Sequence, residues 1–342
     1  MPREATSRDW LALLVLTVLW GSAFMFNELA LAAFPPAVLV AGRIVIATAV
    51  IWGYLRLSGD TLPAPGRSWL PMVVLAIFGN VLPFHLVAWA QQHIDSSMAG
   101  ILMAVMPLFV LTLAHFFIPG GRLTPWRAVG FVIGFSGVII VIGPDAVRGM
   151  EDSAAFWGAL AALGAALSYS VNTIYARRLG PGDPLRRSAG MLIIASMLSM
   201  PAAFVELPDT LVPGTLAVVS LGILGLLATG FATILYFRLI QGPGPAFLSL
   251  VNYLVPAWAV VAGTMLLGES VSNSVMIGLA LILAGIAFSE FGSRVGPLLH
   301  GIGQRLLPFA PRMPERVRVR TREGTGRRSS LRADRRIRAR RS

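Results

Sequence analysis

The sequence predicts an all-α integral membrane protein, with ten transmembrane helices forming two inverted five-helix repeats and with the N and C termini cytoplasmic. Three observations predict this fold. Of 342 residues, 56% are hydrophobic and only 13% charged, whereas a soluble domain carries roughly 25% charged residues. Uncharged apolar stretches of roughly twenty residues recur along the chain, each long enough to cross about 30 Å of hydrocarbon as a helix. The second half of the chain also repeats the first at a nearly constant offset.

The elements follow in order. After a cytoplasmic N-terminus, residues 1–9, the first span covers 10–28, carries Trp20 and ends at Glu28. The second, 37–56, opens after a Pro-Pro pair and holds Arg43 about 9 Å inside its end at 1.5 Å per residue. The third, 69–91, contains Asn80, Pro83, His85 and Trp89, and the fourth, 97–118, has Pro107 near its middle. The fifth, 127–143, bears Gly130, Gly134 and Gly137 on one face, and residues 144–153 form an extracytoplasmic connection. The second repeat, 154–291, comprises spans at 154–176, 188–206, 214–238, 246–267 and 273–291. An Arg-rich tail, 292–342, closes the chain.

The internal repeat accounts for the mid-span prolines. Shifted by 149 residues, "MAVMPLFVL" meets "NYLVPAWAV", so that Pro107 falls on Pro256. "AIFGNVLPFH" meets "GILGLLATGF" at a shift of 146, and "DWLALLVL" meets "FWGALAAL" at 147. Each copy has five spans, an odd number, so the second enters the membrane upside down. Inverted repeats of this kind place a substrate site at the midplane between them. A mid-span proline frees a backbone carbonyl, which is tolerated where protein or a watery cavity satisfies it. The matched pair is read as cavity wall; the alternative is a kink that only shapes packing.

Charge sets the orientation. Placing both termini in the cytoplasm puts 26 of the 28 arginines on that side, leaving only Arg43 and Arg148 elsewhere, in keeping with the positive-inside rule. Glu28, Asp95, Asp145, Glu151, Asp152, Glu206, Asp209 and Glu269 collect on the other face. A cleavable signal peptide is set aside, because the first span is a working part of the repeat. Cysteine and lysine are both absent. Thiol catalysis, cysteine-held metals, a Schiff base and a Walker-A lysine are thereby excluded. No cofactor, metal site or enzymatic motif is read from the chain.

Several stretches resemble the drug/metabolite transporter superfamily, in its EamA-type ten-helix branch. They are "LWGSAFMFNELAL", "PPAVLVAGRIVIA", "AWAQQHIDSSMAGILMAVMPLF", "GFVIGFSGVIIV" and "SLVNYLVPAWAVVAGTMLLGESVSNSVMIGLALILAGIAF". The resemblance covers about residues 9 to 291. It implies a small-metabolite transporter of the cytoplasmic membrane, handling amino acids, other metabolites or drug-like solutes, and export is the preferred direction. Where the family pattern carries an acidic residue in a turn after the fourth and ninth spans, this chain has Gly268-Glu269 in the second copy but Gly120-Gly121-Arg122 in the first.

Polar groups deep in a span are costly and point to function. His85, near the midplane, is read as a substrate or proton contact, its ordinary pKa of about 6.5 permitting a change of charge, or as a neutral histidine bonded to a neighbour. Arg43 either attracts a substrate carboxylate or phosphate or snorkels outward to pair with Glu28 or Asp95. Asn80, Tyr169, Asn172, Tyr236, Asn252 and Tyr253, with Ser168, Ser170, Thr229 and Thr233, are candidates to line a polar cavity. Trp20, Trp89 and Trp258 are its candidate aromatic walls, with Pro83, Pro107 and Pro256 as kinks.

The glycine faces of the fifth and tenth spans, the latter carrying Gly278 and Gly285, predict close packing within the protomer or, alternatively, a homodimer. The tail, rich in Arg and poor in apolar residues, predicts disorder and binding to anionic lipid head groups. Nothing else in the chain reads bases, so nucleic acid is set aside as a partner. The rival to transport is a membrane-embedded sensor or scaffold with a lipid-binding basic tail.

Overall fold

The structure, a computed structural model, describes residues 3–64, 66–121, 123–143, 154–180 and 182–306, with 291–306 as helix backbone alone. It divides into two units, Met1–Leu298 and Leu299–Ser342; of the second, only the end of one helix lies among the described residues. Ten described helices are long and apolar enough to cross a bilayer: α1 (Ser7–Leu31), α2 (Pro36–Leu57), α3 (Arg67–Ala90), α4 (Ser96–Phe117), α5 (Pro125–Ile142), α6 (Ala154–Arg178), α7 (Pro184–Glu206), α8 (Thr215–Gln241), α9 (Pro245–Leu267) and α10 (Asn273–Glu290). No strand occurs among the described residues, in keeping with the all-α fold class.

Local chemistry sets the ends. Asp9 accepts from the Thr6 backbone N–H at 2.8 Å and from Arg3 at 2.5 and 2.8 Å. This capping box starts α1 before the apolar run begins. Pro36, Pro125, Pro184 and Pro245 open their helices, where a missing N–H costs nothing. The last helix runs on from Asn273 to Leu306, past the span end expected at 291. Val295, Leu298, Leu299, Ile302 and Leu306 recur at helical spacing, which favours continuing the helix. The remainder of the tail and the 144–153 connection lie outside the described residues.

Packing follows the duplication. Helix α2 lies against its counterpart α7, and α4 against its counterpart α9. The pairing of α3 with α6 is mirrored by α8 with α1, and that of α4 with α6 by α9 with α1. In lipid, helices associate through close van der Waals packing, which favours small residues. Between α5 and α10 that packing is tight. A Cβ at Gly137 would lie 2.6 Å from the Gly278 carbonyl oxygen, and one at Gly285 would lie 2.4 Å from the Gly134 nitrogen. These glycine faces are therefore occupied by one another within the chain.

Two apolar clusters flank the middle. One joins α1, α2, α3, α7 and α8 through Leu39, Ile44, Phe84, Leu192 and Leu224; the other joins α4, α5, α6, α9 and α10 through Leu102, Leu108, Val138, Ala162, Val260 and Ile282. Helix α3 widens to a π-helix at Ile77–Val81, α8 at Leu224–Phe231 and α9 at Gly263–Leu267; the first two match in sequence. Such π segments mark functional sites disproportionately.

Candidate functional site

The deepest charge lies beside those π segments. Arg43 of α2 is buried, and its Nε donates to Thr229 Oγ1 at 2.8 Å. The Thr229 hydroxyl in turn donates to the Leu224 carbonyl at 2.8 Å, inside the π segment of α8. The guanidinium carbon of Arg43 sits 4.0 Å from the ring centre of Phe84 in α3. Phe84 meets Tyr169 of α6 edge-on, with ring centres 6.5 Å apart. Four helices, two from each repeat, thus converge on one cation. The cation–π contact is worth about 2 kcal/mol when desolvated, but burying an ion costs several kcal/mol.

The expected alternative in which Arg43 snorkels out to Glu28 or Asp95 is corrected. Thr229 stands about halfway along α8, 14 residues after Thr215, so the guanidinium reaches towards the midplane. No acidic side chain among the described residues bonds it.

Asn80 and Asn172 lie one turn away, towards the end where the arginines gather. Asn80 is four residues before Phe84, inside the π segment of α3, and Asn172 is three after Tyr169 on one face of α6. Asn172 packs against α3 at Gly79, the residue before Asn80, where an added Cβ would fall 3.0 Å from the Asn172 side chain. Asn80 is 4% exposed. Its Nδ2, like Asn172 Oδ1, is buried without a hydrogen-bond partner. Orphaned buried amides are rare in folded proteins. Ser168 and Ser170 are instead used internally, donating to the Phe78 and Met106 carbonyls at 2.9 and 3.1 Å.

Other candidates stand apart. His85 Nδ1–H donates to the Val81 carbonyl one turn back at 2.7 Å, leaving Nε2 a buried acceptor without a partner. No hydrogen bond or ring contact joins His85 to the Arg43 group. Trp89, one turn on, is exposed and meets His93 edge-on at 4.6 Å. Tyr253 points to α10, its hydroxyl donating to Glu290 at 3.2 Å. Trp20 and Tyr236 meet at a tilt of 42° with ring centres 5.7 Å apart, in a third apolar cluster of α1, α8 and α9. Trp258 donates to Ser22 Oγ at 2.8 Å and fills the space left by Gly21. Asn252 is half-buried in α9.

The prolines matched in sequence differ in their surroundings. Pro107 follows a break in α4, where Ala104 and Val105 close tight turns onto the Ile101 and Leu102 carbonyls at 3.0 and 3.3 Å. Pro256 sits inside the uninterrupted helix Val251–Ala262. The break in α9 falls earlier, at Ser249–Leu250, where the Ser249 hydroxyl bonds the Ala246 carbonyl at 2.8 Å and competes with the ladder. Pro83 begins the α-helix that follows the π segment of α3.

At the acidic end the bundle is sealed. Asn27 Nδ2 donates to Gln91 Oε1 at 2.9 Å, and Gln91 Nε2 to the Phe24 carbonyl at 2.8 Å. Gly268, at φ 72°, closes α9 in the left-handed conformation that glycine adopts freely and turns Glu269 onto the start of α4. There its two oxygens accept from Ser96 N–H at 3.0 Å, from Ser97 N–H at 3.0 Å and from both serine hydroxyls. Glu28 shares the Ser96 N–H at 3.1 Å. Desolvation pushes the Glu269 carboxyl up, but the hydrogen bonds from Ser96 and Ser97 outweigh it and hold the carboxyl below its usual range. Asp95 is pushed above its usual range, first by desolvation and second by Glu269. None of this cap was read from the sequence beyond its Gly-Glu turn.

A separate groove of about 370 Å³, lined by Val45, Thr48, Ala49, Trp52, Ile193 and Ser196, lies between α2 and α7. It is almost wholly apolar and holds none of the Arg43 group.

Residues 9–143 and 156–291 each match the EamA-like transporter family, one match per repeat. The chain belongs to the EamA-like transporter family. It is 26% identical over 288 residues to the uncharacterized inner membrane transporter YedA of Escherichia coli strain K12, covering 84% of this chain and 92% of that one. Similarity to the uncharacterized transporter YoaV of Bacillus subtilis is 22% over 82% of this chain and 96% of the relative. A chloroplastic WAT1-related protein of Arabidopsis thaliana is 23% identical, over 84% and 70%. A solved crystal structure has the same fold at TM-score 0.62, with 22% identity over 85% of this chain and all of that one. This EamA-like protein is thus a multi-pass membrane protein with a transporter's role, and its deepest polar group lies where the two repeats meet.

Proposed function

We propose that this EamA-like protein is a secondary transporter, not an enzyme, that exports small metabolites such as amino acids or drug-like solutes across the cytoplasmic membrane by alternating access. The observation that carries the reading is the pair of π segments that match in sequence between the repeats, in α3 and α8, beside a buried cluster formed by Arg43, Phe84, Tyr169 and Thr229. Interrupted helices at symmetric positions are the usual makings of a transporter site. Both termini are assigned to the cytoplasm from the arginine distribution. The capped acidic end then faces outward, so this conformation is read as closed on the outer side. The Arg-rich tail binds anionic lipids. His85, with its free Nε2 acceptor, is the group assigned to proton coupling.

The chain has no cysteine, so access can be followed with single cysteines and no background labelling. Phe24→Cys samples the acidic side of the cluster and Tyr236→Cys the arginine side. Glu269→Ala weakens the acidic seal and is expected to raise maleimide reactivity at the first site while lowering it at the second. If both sites gain reactivity together, or neither changes, the alternating-access reading is wrong.

A further inference from the structure

We infer that the Arg43 group takes the oxyanion head of a monoanionic solute, a carboxylate carried on an apolar or aromatic body; this deepens the transport reading and rests on it.

The first ground is an unbalanced charge. Described acids other than those at the acidic end, namely Glu4, Asp9, Asp60, Asp183 and Glu290, lie at or near the arginine ends of their helices. Arg43 is therefore a midplane cation without a carboxylate. Its Nε is spent on Thr229, and Phe84 covers one face of the guanidinium. The Nη nitrogens have no hydrogen-bond partner among the described residues. An arginine fork matches the two oxygens of a carboxylate.

The second ground is independent of charge. Asn80 is nine-tenths buried and more, and its Nδ2 donor is orphaned. Tyr169 also has no hydrogen-bond partner for its hydroxyl among the described residues, while its ring meets Phe84. Tyr169 thus brings a neutral donor on the ring that meets Phe84, which covers the fork, and Asn80 adds an orphaned donor four residues before Phe84 in α3. The Thr229 proton is committed to Leu224, so that hydroxyl only orients the arginine. The Asn172 Oδ1 acceptor, also orphaned, suits an N–H or O–H elsewhere on the solute.

The ionic state follows from the count of cations. One guanidinium neutralises one carboxylate, whereas a phosphate dianion would leave a net negative charge in a low-dielectric site with no second cation. The rings of Phe84 and Tyr169 give the body of the solute an apolar wall.

The test uses purified full-length protein in detergent at pH 7.5, with three probes of similar shape: phenylacetate, phenylacetamide and phenyl phosphate, each at about 10 mM. Thermal unfolding reads binding without requiring transport. The acid is expected to raise the melting temperature by a few degrees, and the amide and the phosphate to leave it unchanged. In Arg43→Gln the acid's affinity should fall roughly a hundredfold, whereas Arg43→Lys should retain part of it. An amide shift equal to the acid's, a preference for the phosphate, no shift with the acid, or an undiminished acid shift in Arg43→Gln each overturns the inference. The wild-type comparison stands even if the variants fail to fold. Counterflow of an uncharged solute alongside any of these failures would leave the transport reading intact, while failure of every solute to exchange would remove it.

Discussion

Replacing Glu269 by alanine tests the seal between the repeats, because one side chain after α9 caps the start of α4. The substitution removes the acceptor for Ser97 N–H and both serine hydroxyls. Ser96 N–H keeps Glu28 as an acceptor at 3.1 Å. Losing a helix cap costs about 1 kcal/mol, and losing charge-assisted hydrogen bonds about 1.5–3 kcal/mol. Relief of repulsion on Glu28 and Asp95 returns part of this, up to about 1 kcal/mol at a partly exposed site. The net expectation is a loss of about 2 kcal/mol, or a melting temperature lower by roughly 3 °C for a chain of this size. Glu28→Gln should act in the opposite sense. Its amide still accepts from Ser96 and now donates to Glu269, so the two acids no longer compete for one N–H. Thermal unfolding in detergent at pH 7 reads both. The reasoning fails if Glu269→Ala melts with the wild type, or if Glu28→Gln destabilises as much as Glu269→Ala does.

Further outcomes follow from the same geometry. Gly137→Val should separate α5 from α10, because its Cβ would meet the Gly278 carbonyl and the Ile282 nitrogen at 2.6 and 2.9 Å; overpacking of this kind costs about 1–3 kcal/mol and should appear as early melting. Asp95 has a raised folded-state pKa, so its contribution is present at low pH and is lost as pH rises through that value. Asp95→Asn should therefore melt higher than wild type at pH 7 and equal to it near pH 4. Glu269, with a lowered pKa, contributes above its ordinary range and loses that contribution in stronger acid; Glu269→Gln should accordingly lose less stability than wild type when the pH is lowered below about 4. His85→Ala should flatten the pH profile of solute exchange between about pH 5.5 and 8 while leaving affinity at a fixed pH within about twofold, since the ring bonds only its own helix.

Depth along the chain was legible because hydropathy and helix rise report it directly. The spans expected at 37–56 and 97–118 are Pro36–Leu57 and Ser96–Phe117; helix rise puts His85 near the midplane but Arg43 only about 9 Å inside its end, and the Arg43 side chain then carries its charge deeper, to Thr229. Direction around each helix was less legible. The π segment of α3 adds residues to the turn, so the faces of Phe84, His85 and Trp89 cannot be read from a regular period. That is why Phe84, an unremarked aromatic, covers Arg43 while His85 does not touch it. Tyr253 was given to the cavity for its type and depth, yet its hydroxyl is bonded by Glu290, which is 37 residues away in sequence. The Pro107–Pro256 match survives as sequence symmetry, but Ser249 shifts the break in α9 away from its proline. The Glu269 cap depends on a turn of one helix meeting the start of another, which no local pattern encodes.

The most direct test of transport is counterflow in proteoliposomes, without nucleotide, across a panel of amino acids, organic acids, neutral metabolites and drug-like solutes. Wild type and Arg43→Gln would be compared at equal incorporation. The account predicts that at least one solute exchanges through the wild type and that its exchange falls at least tenfold in the variant. Absence of exchange for every solute, with a folded and correctly inserted wild type, would contradict it.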